Sequence, residues 1–203
     1  MRPNTLCPQC NSLERHRLLW LYIKANPMLL SGKKKVLHIA PEPIFAKLLK
    51  SFTEIDYLSA DLDPSLAMVG MDLTNIAYPD ASFDAVLCYH VLEHIPDDVQ
   101  AMRELHRVLK PGGWAILQSP LEASRETTYE DFTIVTPEAR EQAFKQGDHV
   151  RIYGRDYKSR LVQAGFTLKL DTFASDLKPE VAARYCIDQE EDIYFCTKLG
   201  MRS

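Results

Sequence analysis

The sequence contains no apolar run long enough to cross a bilayer, and its first four residues lack the apolar core of a secretion signal. It also lacks a cluster of positive charge. Lys and Arg together number 24 against 28 Asp and Glu, which gives a net charge of −4 at pH 7. Because nucleic acids are held through their phosphates by clustered positive charge, we expect neither a nucleic-acid partner nor a membrane partner.

Cysteine is scarce and odd in number, since the chain has five. An odd count in a chain of this size does not indicate a disulfide framework. Free thiols are typical of the reducing cytosol, so we predict a cytoplasmic protein. Cys7-Pro8-Gln9-Cys10 resembles half of a zinc ribbon. Tetrahedral zinc needs four ligands. We therefore interpret the pair as a truncated zinc knuckle and predict no bound metal.

A length of 203 residues is enough for one sizeable core but not for two. With 46% hydrophobic and 26% charged residues, the composition is typical of a folded globular protein. An amphipathic pattern over residues 13–24 predicts a helix, which Asn26-Pro27 ends. We divide the chain into an N-terminal extension, residues 1–32, which holds the half knuckle and this helix, and a main domain, residues 33–203.

The main domain alternates short apolar segments with helical ones. Strands are predicted at 36–40, 57–62, 68–73, 84–89, 114–117, 166–173 and 192–198. Helices are predicted at 43–51, at 156–164, and after an N-cap at Asp97 with an apolar face of Val99, Met102, His106 and Leu109. This alternation predicts an α/β fold with a doubly wound, mostly parallel sheet covered on both faces. The polar segment 121–150 is interpreted as an insertion or a lid.

Ligands of such sheets bind at the carboxyl ends of the strands, so the residues that end the predicted strands are site candidates. They include three carboxylates, Glu42, Asp61 and Asp72. Asp61 follows Ala40 by 21 residues, the spacing at which an acidic residue reaches a ribose in nucleotide-binding units. The turn after the first strand lacks the glycines that a pyrophosphate needs. An acidic pocket with a ribose-binding carboxylate suits a cationic nucleoside instead.

An ordered series of motifs gives the chain a family resemblance. It consists of 72–74 (Asp-Leu-Thr), 78–84 (Tyr-Pro-Asp-Ala-Ser-Phe-Asp), 90–94 (His-Val-Leu-Glu-His), 107–113 (Arg-Val-Leu-Lys-Pro-Gly-Gly) and a later run within 149–166. The series resembles class I S-adenosylmethionine-dependent methyltransferases of the branch called type 11. The resemblance implies a seven-stranded Rossmann-like sheet whose last two strands form an antiparallel edge hairpin. It also implies S-adenosyl-L-methionine as the cofactor.

The resemblance assigns roles to individual residues. It implies that the cofactor is bound by His38, Ala40 and Glu42 around its methionine part, Asp61 and Leu62 at its ribose, Asp72 and Leu73 at its adenine, and Tyr89 near its transferable methyl. Family members usually carry glycine at three positions of the first loop. This chain has Ala40, Glu42 and Ile44 there.

The predicted reaction is the transfer of a methyl group from S-adenosylmethionine to an oxygen or nitrogen of a small-molecule acceptor by in-line displacement. An acceptor hydroxyl or ammonium must lose a proton. His90, at the end of the fourth strand, is the first candidate for the catalytic base, and His149 is the second.

Two alternatives remain open. The glycine-free loop favours a non-catalytic cofactor-binding or regulatory module on the same fold. The pattern His90-x-x-Glu93-His94 favours a zinc hydrolase, in which two histidines one helical turn apart bind zinc beside a glutamate base. A strand directly before this pattern and Pro96 after it leave little room for the helix that such a site requires.

Overall fold

The computed structural model describes residues 5–200, which form a seven-stranded sheet, a small two-stranded sheet and the helices around them. The strands are β1 (Lys34–Ile39), β2 (Ile55–Asp61), β3 (Val69–Gly70), β4 (Phe83–Tyr89), β5 (Leu109–Gln118), β6 (Tyr129–Glu130), β7 (Arg151–Ile152), β8 (Thr167–Asp171) and β9 (Ile193–Thr197). The α-helices are α1 (Glu14–Ala25), α2 (Pro43–Leu49), α3 (Asp98–Val108), α4 (Pro137–Phe144), α5 (Tyr157–Gln163) and α6 (Pro179–Tyr185). Short 3-10 helices cover Pro27–Leu30 and Leu92–His94.

The large sheet has the strand order β3-β2-β1-β4-β5-β9-β8. The pairs among β3, β2, β1, β4 and β5 are parallel, whereas β9 is antiparallel to both β5 and β8. This arrangement confirms the predicted doubly wound, mostly parallel sheet of seven strands with an antiparallel hairpin at its edge. Strands β6 and β7 pair with each other outside this sheet.

The strand order reverses at β1, which lies between β2 and β4. From β1 the chain moves outward to β2 and β3, and then returns to build β4 and β5 on the other side. Near the carboxyl end of β1, Ile39 pairs with Ala60 of β2 and with Cys88 of β4. The crevice beyond this point is where ligands bind in open sheets of this type.

The sheet is covered on both faces by apolar helix surfaces. One core contains side chains of α3 and α5, such as Leu105 and Leu161, and the other contains side chains of α1 and α2, such as Tyr22 and Phe45. Helix α1 confirms the helix predicted at 13–24, and its buried side chains belong to the same core as the central strands. Within residues 5–200, no helix is long and apolar enough to span a bilayer.

Helix α3 begins as predicted but buries a different face. The Asp97 side chain caps it by accepting a hydrogen bond from the backbone N–H of Gln100 at 3.0 Å. The helix buries Asp98, Ala101, Met102, Leu105 and Val108. Of the predicted face, Met102 and Leu109 are buried, whereas Val99 and His106 are only half-buried. The difference arises because Asp98 is a buried acid, held by the hydroxyl of Tyr153 and the guanidinium of Arg160.

Other predicted elements differ in extent. The third strand covers only Val69–Gly70, and β5 already starts at Leu109 and runs through the predicted Lys-Pro-Gly-Gly turn. Gly113 is required in this strand because a Cβ there would lie 2.9 Å from the carbonyl oxygens of Asp84 and Lys110. Helix α6, which Pro179 starts, was not predicted. The segment 121–150 contains β6 and α4.

Candidate active site

A cavity of about 720 Å³ opens at the carboxyl ends of β1, β2 and β4. Its volume is within the range of pockets that enclose small ligands and cofactors. Of the predicted site residues, it is lined by Ala40, Asp61, Leu62, Asp72, Leu73 and His90. Apolar side chains such as Ile39, Met71 and Val91 complete its wall. Asp97 and Asp148 line it as well, so the cavity combines four aspartates with a largely apolar surface.

The carboxylates of Asp61 and Asp72 are fixed by their own turns. Asp61 Oδ1 accepts a hydrogen bond from the backbone N–H of Asp63 at 3.0 Å. Asp72 Oδ1 accepts from the hydroxyl of Thr74 at 2.7 Å and from its backbone N–H at 2.8 Å. These bonds lower the pKa of Asp72, so this carboxylate is ionised at neutral pH. Each turn leaves acceptor capacity on its carboxylate for a ligand.

The residues that follow β1 and β4 have left-handed backbone conformations. Ala40 has φ 46° and His90 has φ 53°. Such a conformation costs a non-glycine residue roughly 1–2 kcal/mol, and backbone strain of this kind concentrates at functional sites. Backbone bonds hold both residues in place, since Ala40 N donates to Ala60 O and His90 N donates to Gln118 O, each at 2.8 Å.

The first loop does not require glycine at all three positions where the family usually has it. Only Ala40 is left-handed, whereas Glu42 is extended with φ −71° and Ile44 lies in α2. The loop therefore turns directly into a helix that Pro43 starts. Its geometry is compatible with the cavity, which has the acidic and apolar lining expected for a cationic nucleoside. The residues present fit S-adenosylmethionine.

Three predicted cofactor residues lie outside this cavity. His38 and Tyr89 are buried in strands, and their side chains do not line the cavity. His38 Nδ1 lies 3.0 Å from the hydroxyl of Tyr57 on β2. Side chains of successive strand residues point to opposite faces of the sheet, so only some residues near a strand end can face the crevice. The cofactor role of these residues stays a prediction, although their side chains do not line the cavity.

Glu42 turns towards α1 instead of the cavity. Its Oε1 lies 2.7 Å from His16 Nε2 and 3.2 Å from Arg15 Nη2. Because His16 Nδ1 accepts a hydrogen bond from the backbone N–H of Leu13, His16 Nε2 carries the proton that Glu42 accepts. Burial opposes ionisation of Glu42, but the bond from His16 and the charge of Arg15 outweigh it and lower the pKa. The acidic cavity thus contains two of the three predicted carboxylates.

His38 leads to a prediction about stability and pH. Burial lowers the pKa of His38 to about 4; the charge of Glu42 opposes this shift, and that of His16 adds to it. Burial also raises the pKa of the neighbouring Tyr57 to about 12. In the unfolded chain His38 binds a proton near pH 6.5, whereas in the folded protein it does so only near pH 4. The free energy of unfolding therefore decreases as the pH falls from about 6.5 to 4, by about 1.4 kcal/mol per pH unit for this group.

The variant His38→Gln is expected to keep a hydrogen bond to Tyr57 and to lose this part of the pH dependence. Urea unfolding between pH 4.5 and 7.5 measures it. Other buried histidines are common to both proteins, so the difference in slope reports on His38 alone. Equal slopes in the two proteins would contradict the assignment.

A second cavity of about 600 Å³ lies beside the first, at the carboxyl ends of β4 and β5. Its wall contains Gln118, Ser119 and Tyr194 together with charged side chains of both signs. The cations are Arg15, Arg155 and Lys158, and the acids are Glu14, Asp188, Glu190, Glu191 and Asp192. His90 lines this cavity as well as the first, and so stands where the two meet.

The imidazole of His90 is partly exposed and electrically neutral. Burial, reinforced by the charge of Arg15, lowers its pKa to about 4. Its Nδ1 lies 3.6 Å from Glu93 Oε1. A neutral imidazole has one nitrogen free to accept a proton, but a pKa near 4 makes His90 a weaker base at neutral pH than an ordinary histidine.

The structure does not build the helix that the zinc hydrolase alternative requires. Residues 92–94 form a single 3-10 turn, and His90 precedes it in a left-handed conformation. His90 and His94 therefore do not lie one turn apart on an α-helix. The second catalytic candidate, His149, is buried and lines neither cavity, and its ring stands edge-on to that of His94 with centroids 4.7 Å apart.

Sequence reasoning missed Arg151, which is fully buried beneath the loop that follows β4. Its guanidinium donates to the carbonyl oxygens of Leu92, Ile95 and Pro96, and its Nε donates to Glu130 at 2.9 Å. The only sequence signal was its place in the 149–157 run that carries the family resemblance. Of the cysteine pair, Cys7 is half-buried and Cys10 is exposed, and Cys10 Sγ donates a hydrogen bond to Ser12 Oγ at 3.2 Å.

Comparisons with known proteins agree with this fold. Residues 25–117 match the family described as "Methyltransferase domain". The chain is similar to a 27-O-demethylrifamycin SV methyltransferase of Amycolatopsis mediterranei, with 38% identity over 79 residues that cover 35% of this chain and 29% of that protein. The chain thus spans less than a third of the length of that relative.

Two solved structures share the fold at low sequence identity. The YcgJ protein of Bacillus subtilis has a TM-score of 0.58 and 18% identity, covering 89% of this chain and 94% of that one. The phosphoethanolamine N-methyltransferase 2 of Haemonchus contortus, solved with S-adenosyl-L-methionine, has a TM-score of 0.59 and 13% identity, covering 91% and 52%. The strand order and the crevice define a class I fold. A methyltransferase family model matches residues 25–117, a little under half of the chain, and this match confirms the resemblance to S-adenosylmethionine-dependent methyltransferases that the motifs indicated.

Proposed function

We propose that this protein transfers a methyl group from S-adenosylmethionine to an oxygen or nitrogen of a small polar molecule. The observation that carries the proposal is the position of His90, which lines both the acidic cavity and the charged cavity beside it. A neutral imidazole at the junction of two cavities is placed to contact a donor in one and an acceptor in the other.

The acidic cavity is the proposed cofactor site. Asp61 would accept hydrogen bonds from the ribose hydroxyls, and Asp72 with Leu73 would flank the adenine. Asp72 and Asp61 would also attract a positively charged ligand, because opposite charges in a cavity of reduced dielectric attract more strongly than in water. When bound, the cofactor supplies a methyl group that is already activated as part of a sulfonium.

The charged cavity is the proposed acceptor site. Side chains of both signs, such as Arg15, Lys158 and Glu191, favour a polar acceptor over an apolar one. His90 would take the acceptor's proton on Nε2, since its Nδ1 is directed at Glu93. Holding donor and acceptor at reacting distance is the main task of the protein in a displacement of this kind. His149, outside both cavities, is the weaker candidate.

Two measurements test the proposal. Calorimetry with S-adenosylhomocysteine tests cofactor binding, and incubation with methyl-labelled S-adenosylmethionine and a panel of small hydroxyl and amine compounds tests transfer. We expect one nucleoside site per chain and label transferred to a polar acceptor. Binding without transfer to any compound would favour the non-catalytic module, and absence of binding would contradict the proposed function.

Removing the ribose carboxylate tests the cofactor site directly. The variant Asp61→Ala is expected to weaken S-adenosylhomocysteine binding by about 1–3 kcal/mol, or roughly 5- to 150-fold in Kd, through the loss of charge-assisted hydrogen bonds. Calorimetry measures the change. Asp63→Ala is the matched control, because Asp63 caps the same turn through Ser65 and does not line the cavity. Equal affinities for the two variants would mean that the ribose is held elsewhere.

A further inference from the structure

Three potential metal ligands converge beside the cofactor cavity. Glu93, His94 and His149 each offer one ligand atom, and these atoms all lie within 4.8 Å of one another. Glu93 and His149 are buried, whereas His94 is partly exposed and lines the cavity. The first two residues belong to the turn after β4, and the third immediately precedes Val150 and β7.

Glu93 is an incompletely satisfied buried acid. Only 1% of its side chain is exposed. Its Oε2 accepts a hydrogen bond from the hydroxyl of Ser119 at 3.0 Å. Its Oε1 has no hydrogen-bond partner and lies 3.6 Å from His90 Nδ1 and 4.0 Å from His94 Nε2. A buried acceptor without a partner is costly unless another group occupies the space in front of it. One carboxylate oxygen of Glu93 lies within 4.8 Å of a ring nitrogen of His94 and of His149.

His94 is oriented in the way that metal-binding histidines are. Its Nδ1 lies 3.2 Å from the carbonyl oxygen of Asp148, which can only accept, so Nδ1 carries the proton. In the neutral ring this leaves the lone pair on Nε2, which lies 4.0 Å from Glu93 Oε1. A backbone carbonyl that fixes the tautomer of a ligating histidine is a typical second-shell contact.

We propose that Glu93, His94 and His149 bind a divalent transition-metal ion such as Zn²⁺. Two imidazoles and one carboxylate form a ligand set that suits zinc and neighbouring metals, and three protein ligands leave further positions open. The site is distinct from the zinc hydrolase pattern, because His149 replaces His90 as the second histidine. It is also distinct from Cys7 and Cys10.

Metal binding requires only a small rearrangement of these side chains. Ligands at tetrahedral zinc lie about 3.4 Å apart when their bonds are about 2.1 Å long. Atoms now within 4.8 Å would therefore approach each other by at most about 1.4 Å. The backbone is already joined at this place, since Val150 N donates to the carbonyl oxygen of Glu93 at 3.0 Å. The ion would link the segment before β7 to the turn after β4 through its bonds to His149, Glu93 and His94.

The test uses the full-length protein, freed of metal by a chelator and titrated with zinc or manganese salts without cofactor. Binding is measured by calorimetry or by competition with a metal indicator, and thermal unfolding is followed in parallel. We expect one ion per chain and a higher Tm in its presence. Since neither cofactor nor acceptor is present, the result is independent of the proposed methyl transfer.

Two ligand variants and two controls locate the site. Loss of a second-shell contact typically weakens metal binding by roughly 10- to 100-fold. Because His149→Gln and Glu93→Gln each remove a ligand itself, we expect a larger loss of affinity from each of them. His106→Gln, a histidine packed on Phe166, and Cys7→Ser are expected to bind as the wild type does. The proposal is overturned if the wild type binds no ion, if His149→Gln binds normally, or if Cys7→Ser removes binding.

Discussion

Replacing Arg151 with methionine is expected to lower the free energy of unfolding by about 3–5 kcal/mol, the cost of breaking a buried ion pair by removing one partner. Arg151 is fully buried and close to two acids, with Nε 2.9 Å from Glu130 Oε2 and Nη2 3.7 Å from Asp98 Oδ1. Methionine would fill part of the volume. It would leave both carboxylates with only Arg160 as a cationic partner.

The carbonyl groups above Arg151 add to the cost. The carbonyl oxygens of Leu92, Ile95 and Pro96 all accept hydrogen bonds from the Arg151 guanidinium. Leu92 O also accepts from the backbone N–H of Ile95, so it would keep one partner without Arg151. A buried carbonyl left without a partner costs about 1–3 kcal/mol. Water entering the space would reduce this cost, so the total is expected to stay near the range for the ion pair.

Urea denaturation at neutral pH measures the effect, and Arg155→Met is the matched control. Arg155 is also paired with a glutamate, Glu126, but both side chains are exposed. Exposed pairs contribute about 0–1 kcal/mol. Arg151→Lys is expected to lie between the two, because a single ammonium retains the charge without the fixed fork that reaches several acceptors. A loss in Arg151→Met no larger than that in Arg155→Met would contradict this account.

Arg151 also illustrates where sequence reasoning ends. The central strands could be predicted because β1 and β4 are apolar segments bounded by turn residues, and the Asp97 cap is a local signal. The contacts of Arg151 with Leu92 and Pro96 span 59 and 55 positions. No local pattern encodes such a contact. A charged residue in a polar segment is normally solvated, so its burial follows only from the packing of the whole domain.

The candidate site shows the same division. Asp61 could be found because its distance from the first strand is set by the geometry of a strand, a helix and a second strand. Glu42 occupies an equivalent strand end, but its partners are Arg15 and His16 of α1, which lies outside the nucleotide-binding unit. Helix α1 brings a cation and a proton donor to the one carboxylate it can reach. The position of Glu42 in the sequence does not predict its contacts with that helix.

His90→Asn is expected to reduce kcat by about 10²- to 10⁴-fold while leaving the affinity for S-adenosylhomocysteine within about threefold of wild type, the loss being typical for removal of a general base. Asparagine is the suitable replacement because it tolerates the left-handed backbone that His90 adopts at φ 53°. The backbone N–H that donates to Gln118 O is retained. The amide has no nitrogen that accepts a proton at neutral pH.

A structural role and a proton-accepting role of His90 can be distinguished. If His90 only shapes the wall between the cavities, His90→Asn should raise the KM for the acceptor and leave kcat nearly unchanged. If it accepts the proton, kcat should fall at unchanged KM, and added imidazole should restore part of the rate by occupying the space the ring has left. His106→Asn, outside both cavities, is expected to keep the wild-type kcat. A kcat for His90→Asn within about threefold of wild type would assign proton removal to another group.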